Sequence, residues 1–181
     1  EVDRGQRSQA KAVNFGILYG QGACGLAETL KIPRREAKSI IEAYFTEFPD
    51  LKAYQTQVVE TAKEKGYVET VLGRKRWLPD ITSANAVVRG FAERNAVNAP
   101  IQGSAADIIK VAMVRIQKAI RAEELDARMI LQVHDELVFD VPKTEAEALS
   151  KLVKTHMEEA VKLSVPLEVE IQTGTNWLEA H

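Results

Sequence analysis

Four side chains at four-residue spacing, Arg7, Lys11, Phe15 and Tyr19, constrain this chain more than any other feature of its sequence. On an α-helix, residues four apart drift by only about 40° around the axis, so all four share one broad stripe. Cations occupy the first half of the stripe and aromatic rings the second half. Cations suit the phosphates of a nucleotide, and aromatic faces suit its base. The spacing alone also fits a solvated cationic face beside core aromatics, because such stripes occur in any amphipathic segment.

The same segment matches a longer pattern, R-x3-K-x3-F-G-x2-Y-G, at Arg7, Lys11, Phe15, Gly16, Tyr19 and Gly20. This pattern resembles motif B, the fingers helix of family A DNA polymerases of the bacterial DNA polymerase I type. The resemblance extends over essentially the whole chain. It implies template-directed transfer of a nucleotide from a dNTP to a primer 3′-hydroxyl.

The resemblance also implies a role for each residue of the stripe. Arg7 and Lys11 would bind the triphosphate of the dNTP, and Lys11 would additionally donate a proton to the departing pyrophosphate. Phe15 would pack on the sugar and base, and Tyr19 would occupy or leave the template slot. A phenylalanine at the position of Phe15 is associated in this family with discrimination against dideoxynucleotides.

A second candidate site is the sequence His134-Asp135-Glu136 between two apolar runs, 128–133 and 137–141. The runs predict two strands joined by a turn. Mg²⁺ prefers oxygen ligands and is often held by one or two carboxylates together with substrate phosphates. An ordinary polar hairpin turn is the alternative, because most such turns bind nothing.

Residues 133–137 resemble motif C of the same family. The implied role of Asp135 is direct coordination of Mg²⁺, with two ions in the complete enzyme. Glu136 would be a supporting carboxylate, and His134 would lie near the primer terminus.

Arg94, Asn98 and Gln102 form another four-residue series, which Pro100 is predicted to divide between two helices. Their segment resembles the part of the family that contacts the nascent base pair and the minor groove. Amide and guanidinium groups can donate to minor-groove acceptors that every correct base pair presents at similar positions. A capped helix start with solvent-facing polar residues is the alternative.

The hydrophobic periodicity predicts an α+β fold: a mostly helical first two-thirds followed by a small antiparallel sheet backed by helices. The resemblance implies that these parts are the fingers and the palm. Fingers are predicted over residues 1–125, with the motif B helix at 7–20, a β-hairpin at 67–78 and a long helix at 102–122. The second half of the palm is predicted over 126–181, with the motif C hairpin at 128–141 and a last strand from Val165 to Ile171. Ser83 is predicted to cap a helix that ends before Pro100, and a glycine-rich loop to follow Gly20.

The net charge of −2 argues against a generic cationic nucleic-acid binder. Residues 1–128 hold 20 Lys and Arg against 16 Asp and Glu, and residues 129–181 hold 4 against 10. A basic front and an acidic back suit a protein that meets phosphates with one part and metal ions with the other. A solvated acidic helix explains the second half equally well.

The single cysteine, Cys24, cannot form an internal disulfide, which favours a reducing cytoplasm. No signal peptide and no apolar run of membrane length is visible in the sequence. The resemblance implies that this cytoplasm is bacterial. A zinc site is not expected, because His134, His156 and His181 are not at ligand spacing. The chain begins at Glu1 without a methionine, as expected of a piece of a larger protein.

The family's other metal-binding aspartate belongs to motif A, a D-Y-S-x-I-E-L-R type strand upstream of motif B, and nothing before Arg7 resembles it. We therefore expect the isolated chain to be inactive. The expected partners are template–primer DNA, a dNTP and the missing N-terminal part of the polymerase, with no membrane. The rival hypotheses are a non-catalytic nucleotide- or DNA-binding module and a structural helical fragment.

Overall fold

The computed structural model describes residues 3–180, so Glu1, Val2 and His181 lie outside the described residues. The described elements run in the order α1 (Arg4–Leu18), α2 (Ala23–Leu30), α3 (Arg34–Glu47), α4 (Pro49–Lys65), β1 (Tyr67–Glu69), β2 (Lys75–Trp77), a 3₁₀ turn (Pro79–Thr82), α5 (Ala86–Ala122), β3 (Arg128–Val133), β4 (Glu136–Asp140) and α6 (Ala146–Glu158). The strands form two antiparallel pairs, β1 with β2 and β3 with β4. The predicted α+β class is confirmed.

The chain forms two compact units, Glu1–Ser104 and Ala105–His181, and the boundary between them falls within α5. The proposed division into fingers and palm at residue 125 is a functional assignment and stays a prediction. None of the helices within residues 3–180 combines the length and the apolar character needed to span a membrane.

Helix α1 begins at a capping box that the sequence analysis did not identify. The Asp3 carboxylate accepts from the Gln6 N–H at 2.7 Å, and the Gln6 side chain accepts from the Asp3 N–H at 3.0 Å. These bonds satisfy N–H groups that a helix start leaves without partners. Further along, Ile17 is buried with Leu26 and Ala37, which fixes the apolar side of α1 against α2 and α3.

The loop predicted after Gly20 is shorter than expected, because the chain re-enters a helix at Ala23. Leu26 of this helix is fully buried. Gly25, counted in the predicted loop, lies inside α2, where a Cβ would stand 3.0 Å from the Gln21 side chain. The glycine therefore allows close packing rather than breaking the helix.

The hairpin predicted over 67–78 is confirmed. Helix α4 ends at Gly66, whose φ of 77° is the left-handed conformation typical of a C-terminal glycine. The hairpin loop contacts α5 at two points: the Arg74 guanidinium donates to the Gly103 carbonyl at 3.1 Å, and the Val71 N–H donates to the Ser104 hydroxyl at 2.8 Å.

The predicted helix boundary at Pro100 is wrong, because α5 is continuous from Ala86 to Ala122 with Pro100 inside it. An interior proline costs a helix about 3 kcal/mol or more. Packing on both sides of Pro100 offsets this cost, since Ala96 is buried in the first unit and Ile116 in the second. The helix start also differs, because the Asn85 side chain, not Ser83, accepts from the Val87 N–H at 2.9 Å.

The second unit packs β3, β4, α5 and α6 around one core. Its buried members include Ile116, Ile120, Leu149 and Leu152, with Phe139 of β4 packed against them. The strand predicted from Val165 to Ile171 does not form within the described residues. The apolar alternation is present, but a strand also needs a hydrogen-bonding neighbour. Here the Val169 N–H donates to the Glu158 carboxylate at 3.1 Å instead.

Gly103 provides a test of how the hairpin is seated on α5. A Cβ at Gly103 would stand 2.7 Å from the Thr70 methyl carbon. We expect Gly103→Ala to destabilise the chain by about 1–3 kcal/mol through overpacking. Adding Thr70→Ser removes the methyl group and keeps the hydroxyl, so the double variant should regain the lost stability.

Gly90→Ala is the matched control on the same helix, because its Cβ would meet only the Arg94 guanidinium at 3.7 Å. It should stabilise the chain by about 0.5–1 kcal/mol. Chemical denaturation gives the free energy of unfolding of the wild type, Gly103→Ala, the double variant and Gly90→Ala. Equal stability of Gly103→Ala and the wild type would contradict the close contact.

Candidate functional site

Helix α1 carries a cationic–aromatic ridge, which we define as Arg7, Lys11, Phe15 and Tyr19. The Lys11 ammonium lies 5.7 Å from the centroid of the Phe15 ring. The Phe15 and Tyr19 rings are stacked with centroids 6.2 Å apart and planes 18° apart. Lys11, Phe15 and Tyr19 therefore contact one another in succession along one side of the helix, as the spacing predicts.

The ridge faces away from the core because the opposite side of α1 is occupied. Val13 and Ile17 pack in the cluster around Leu26, and the Tyr44 hydroxyl donates to the Asn14 side chain at 2.5 Å. Arg7, Lys11 and Phe15 are exposed, and Tyr19 is half-buried. Packing from α2 and α3 thus leaves the ridge open to a ligand.

The cations of the ridge are not neutralised by neighbours. Within residues 3–180, neither Arg7 nor Lys11 has a carboxylate partner. Unpaired guanidinium and ammonium groups about one helical turn apart make this end of the ridge attractive to a polyanion such as a triphosphate.

Three further predicted residues, Arg94, Asn98 and Gln102, lie on α5, and we call them the α5 row. They belong to one helix, contrary to the expected division at Pro100, so they lie on the same side of it. The Arg94 guanidinium carbon lies 5.9 Å from the Phe91 ring centroid. The Asn98 side-chain oxygen is buried and has no hydrogen-bond partner among the described residues. A hydrogen bond from a ligand donor to this oxygen would therefore be favourable.

The end of the ridge and the start of the α5 row meet in the first unit. Gly20 adopts a φ of 76°, and a Cβ at this position would lie 3.7 Å from the Arg94 side-chain stem. A residue with a side chain would be strained there by the positive φ, and its Cβ would be in ordinary contact with Arg94. The structure thus brings together two sites that the sequence places more than 70 residues apart.

The acidic turn, defined as His134, Asp135 and Glu136, joins β3 to β4 in the second unit. Val133 pairs with Glu136, so the loop has two residues, and His134 adopts a φ of 54°. A positive φ at the first loop position is typical of tight hairpin turns. The Gln132 side chain donates to the His134 carbonyl at 3.1 Å and steadies the turn.

The acidic turn offers two carboxylates to a hard cation such as Mg²⁺, but not a complete set of ligands. Asp135, in the turn, is exposed, and the next residue, Glu136, which begins β4, is half-buried. Mg²⁺ is commonly bound by one or two carboxylates, with water and substrate oxygens completing the shell. No group of three or more His, Cys, Asp or Glu side chains converges on one point in the part of the chain that the structure describes.

A groove of ≈ 1120 Å³ lies beside the acidic turn in the second unit. The groove is lined by Asp135, by β4 with Glu136, Leu137 and Phe139, by α6 and by the segment 168–177. No local pattern predicts it, because segments far apart in the chain form its walls.

The cationic hairpin tip, Arg74-Lys75-Arg76, is partly engaged within the chain. Arg74 binds the Gly103 carbonyl, and the Lys75 ammonium lies 4.0 Å from the Glu69 carboxylate and 4.2 Å from the Tyr67 ring centroid. Arg76 is exposed. These contacts favour a role for Arg74 and Lys75 in seating the hairpin.

The chain was compared with known proteins. A family model for DNA polymerase family A matches residues 1–179. DNA polymerase I of Geobacillus stearothermophilus is 55% identical over 180 residues, covering 99% of this chain and 20% of that protein. DNA polymerase I of Bacillus subtilis is 51% identical over 180 residues, again covering 99% of this chain and 20% of that protein.

Among solved structures, the POL domain of Pol1 from M. smegmatis, in complex with DNA primer-template and dNTP, matches with a TM-score of 0.96 and 49% identity. The match covers 99% of this chain and 32% of that one. The chain spans about a fifth of the length of the curated relatives described here.

The ridge predicts a measurable affinity for inorganic triphosphate. We expect Lys11→Gln and Arg7→Gln each to weaken binding about tenfold, since a hydrogen bond to a charged group is worth about 1.5–3 kcal/mol. Lys38→Gln is the matched control, because Lys38 is exposed and pairs with Glu42 on α3. Calorimetric titration with inorganic triphosphate at low salt measures the affinity of the wild type and the three variants. Affinities of Lys11→Gln and Arg7→Gln equal to that of the wild type would contradict binding at the ridge.

Proposed function

Because this chain belongs to DNA polymerase family A, we propose that it provides the dNTP-binding helix and a metal-binding turn of a DNA polymerase. The proposed reaction is template-directed DNA synthesis, as part of DNA polymerase I in bacterial DNA replication and repair. The observation that carries the proposal is the ridge, whose exposed cations have no carboxylate partner within residues 3–180 and whose two rings are stacked beside them.

In the proposed mechanism the primer 3′-oxygen attacks the α-phosphorus of the dNTP. A bond forms between these two atoms, the bond from the α-phosphorus to the bridging oxygen breaks, and pyrophosphate leaves. Arg7 and Lys11 stabilise the charge that develops on the phosphates. Lys11 also donates a proton to pyrophosphate. Phe15 packs on the sugar and base, and Tyr19 lies beside the templating base.

Asp135 would coordinate Mg²⁺ directly, with Glu136 as the supporting carboxylate. When bound, two Mg²⁺ ions lower the pKa of the attacking hydroxyl and neutralise the departing phosphates. The two-residue turn holds Asp135 at the end of paired strands, which limits its movement.

The α5 row and His134 are the proposed DNA contacts. Arg94, Asn98 and Gln102 would donate to or accept from minor-groove atoms, so that they test the geometry of the new base pair rather than its sequence. His134 would lie near the primer terminus. The residue Phe15, rather than tyrosine, is proposed to favour dNTPs over dideoxynucleotides.

The chain is proposed to act together with a preceding part of the same polymerase. Residues 1–125 would be fingers and residues 126–181 the second half of the palm. The preceding part would provide the second metal-binding aspartate, so the isolated chain is proposed to be inactive. The bacterial cytoplasm, where template–primer DNA and dNTPs are present, is the proposed location.

The experiment compares Asp135→Ala and Lys11→Ala with the wild type in the polymerase polypeptide that carries this chain. Each variant should lower kcat for dNTP incorporation by about 10²- to 10³-fold, because each removes charge stabilisation from the transition state. Lys38→Ala is the matched control and should leave kcat unchanged. Template–primer affinity, measured by gel shift, should change little in Asp135→Ala.

Two results would count against the proposal. Full activity of Asp135→Ala would favour the non-catalytic nucleotide- or DNA-binding module. Template-directed incorporation by the purified 181-residue chain would contradict its proposed inactivity.

A further inference from the structure

The C-terminal end of α1 has the hydrogen bonds of a Schellman motif, with Gly20 in the left-handed conformation. The last carbonyls of a helix have no partners within it. Here the turn after α1 satisfies three of them: Tyr19 N–H donates to the Phe15 carbonyl, Gln21 N–H to the Gly16 carbonyl and Gly20 N–H to the Ile17 carbonyl. The Leu18 carbonyl receives its bond from another helix.

That bond comes from Gln55 on α4. Its side-chain nitrogen lies 2.7 Å from the Ile17 carbonyl oxygen and 3.2 Å from the Leu18 carbonyl oxygen. Gln55 is half-buried, and α4 is 37 residues away from Leu18 in sequence. One amide group thus ties the end of α1 to a helix that carries no residue of the ridge.

The contact acts on the peptide that orients Tyr19. The Leu18 carbonyl and the Tyr19 N–H belong to the same planar unit. Gln55 binds the carbonyl side, and the N–H side donates to the Phe15 carbonyl at 3.0 Å. Gly20 follows with a φ of 76°, which glycine adopts without strain. Without Gln55, the Leu18 carbonyl would lose this donor, and the Leu18–Tyr19 peptide would be held only through the Tyr19 N–H.

The residue before Gln55 fastens α4 to the other candidate helix. The Tyr54 hydroxyl lies 3.4 Å from the Val97 carbonyl of α5, one residue before Asn98. Tyr54 is half-buried, and this burial raises the pKa of its phenol above the ordinary value. Adjacent residues of α4 therefore contact the backbones of both α1 and α5.

We propose that Gln55 is a positioning residue for the nucleotide site: by donating to the Ile17 and Leu18 carbonyls, its amide fixes the Tyr19 ring against Phe15. The inference rests on the proposed function, because it takes the ridge as the dNTP site. Gln55 is not a ligand of the nucleotide, since it acts through the backbone of α1.

The chemistry of position 55 distinguishes this role from simple packing. Gln55→Glu has the same shape but offers only acceptors at neutral pH, so it faces two carbonyl oxygens without a donor. Gln55→Leu keeps apolar bulk and has no donor. Gln55→Lys restores a donor, and a cation near a helix C-terminus is favourable.

The test uses the polymerase polypeptide that carries this chain. We expect Gln55→Leu and Gln55→Glu to raise KM for dNTP about tenfold, with a smaller change in kcat, because losing the bond shifts the ridge away from its binding geometry by an amount comparable to one hydrogen bond. The KM of Gln55→Lys for dNTP should stay within about twofold of the wild-type value, because the lysine again places a donor at the end of α1.

Gln57→Leu and Gln57→Glu are the matched controls, because Gln57 is exposed on the same helix two residues further on. Both should leave KM for dNTP unchanged. A readout independent of activity is amide hydrogen exchange at Tyr19, Gly20 and Gln21, which should become faster in Gln55→Leu and stay unchanged in Gln57→Leu.

Two outcomes would overturn the inference. One is a Gln55→Leu protein with wild-type KM and wild-type exchange at Tyr19. The other is a Gln55→Lys protein as impaired as Gln55→Leu, which would indicate packing rather than donation. If the wild-type polymerase were inactive, or Asp135→Ala fully active, the proposed function would fail instead, so the two failures are distinguishable.

Discussion

The burial of Ile17 against Leu26 and Ala37 is the contact on which the proposed site depends. It fixes which side of α1 packs in the core, and so which side remains exposed. Because Lys11, Phe15 and Tyr19 follow the helical repeat, one buried position turns all of them outward together. A change that rotated α1 would remove cations and rings from the site at the same time.

The first unit holds the ridge and the α5 row through backbone contacts rather than through the functional side chains themselves. Gln55 binds carbonyls of α1, Tyr54 binds a carbonyl of α5, and the hairpin loop binds Gly103. The residues proposed to contact substrate therefore remain available. In the second unit, too, the supporting contacts are separate from the proposed functional side chain. Core contacts of β4 and α6 support the acidic turn, whose Asp135 is exposed.

The sequence predicted those parts of the structure that depend on nearby residues. The ridge, the hairpin over 67–78 and the acidic turn follow from helical spacing, a glycine and alternating apolar residues. The continuity of α5 through Pro100, the helix around Gly25 and the missing strand at Val165–Ile171 depend on packing between distant segments. The Gln55 contact could not be predicted from the sequence either, because nothing near Gln55 indicates a partner 37 residues away.

The most direct measurement is a structure of the complete polymerase that carries this chain, bound to template–primer DNA, Mg²⁺ and a non-hydrolysable dNTP. We expect the triphosphate to contact Arg7 and Lys11, and Asp135 to coordinate a Mg²⁺ ion. A nucleotide bound away from the ridge, or no Mg²⁺ ion at Asp135, would contradict the proposed site.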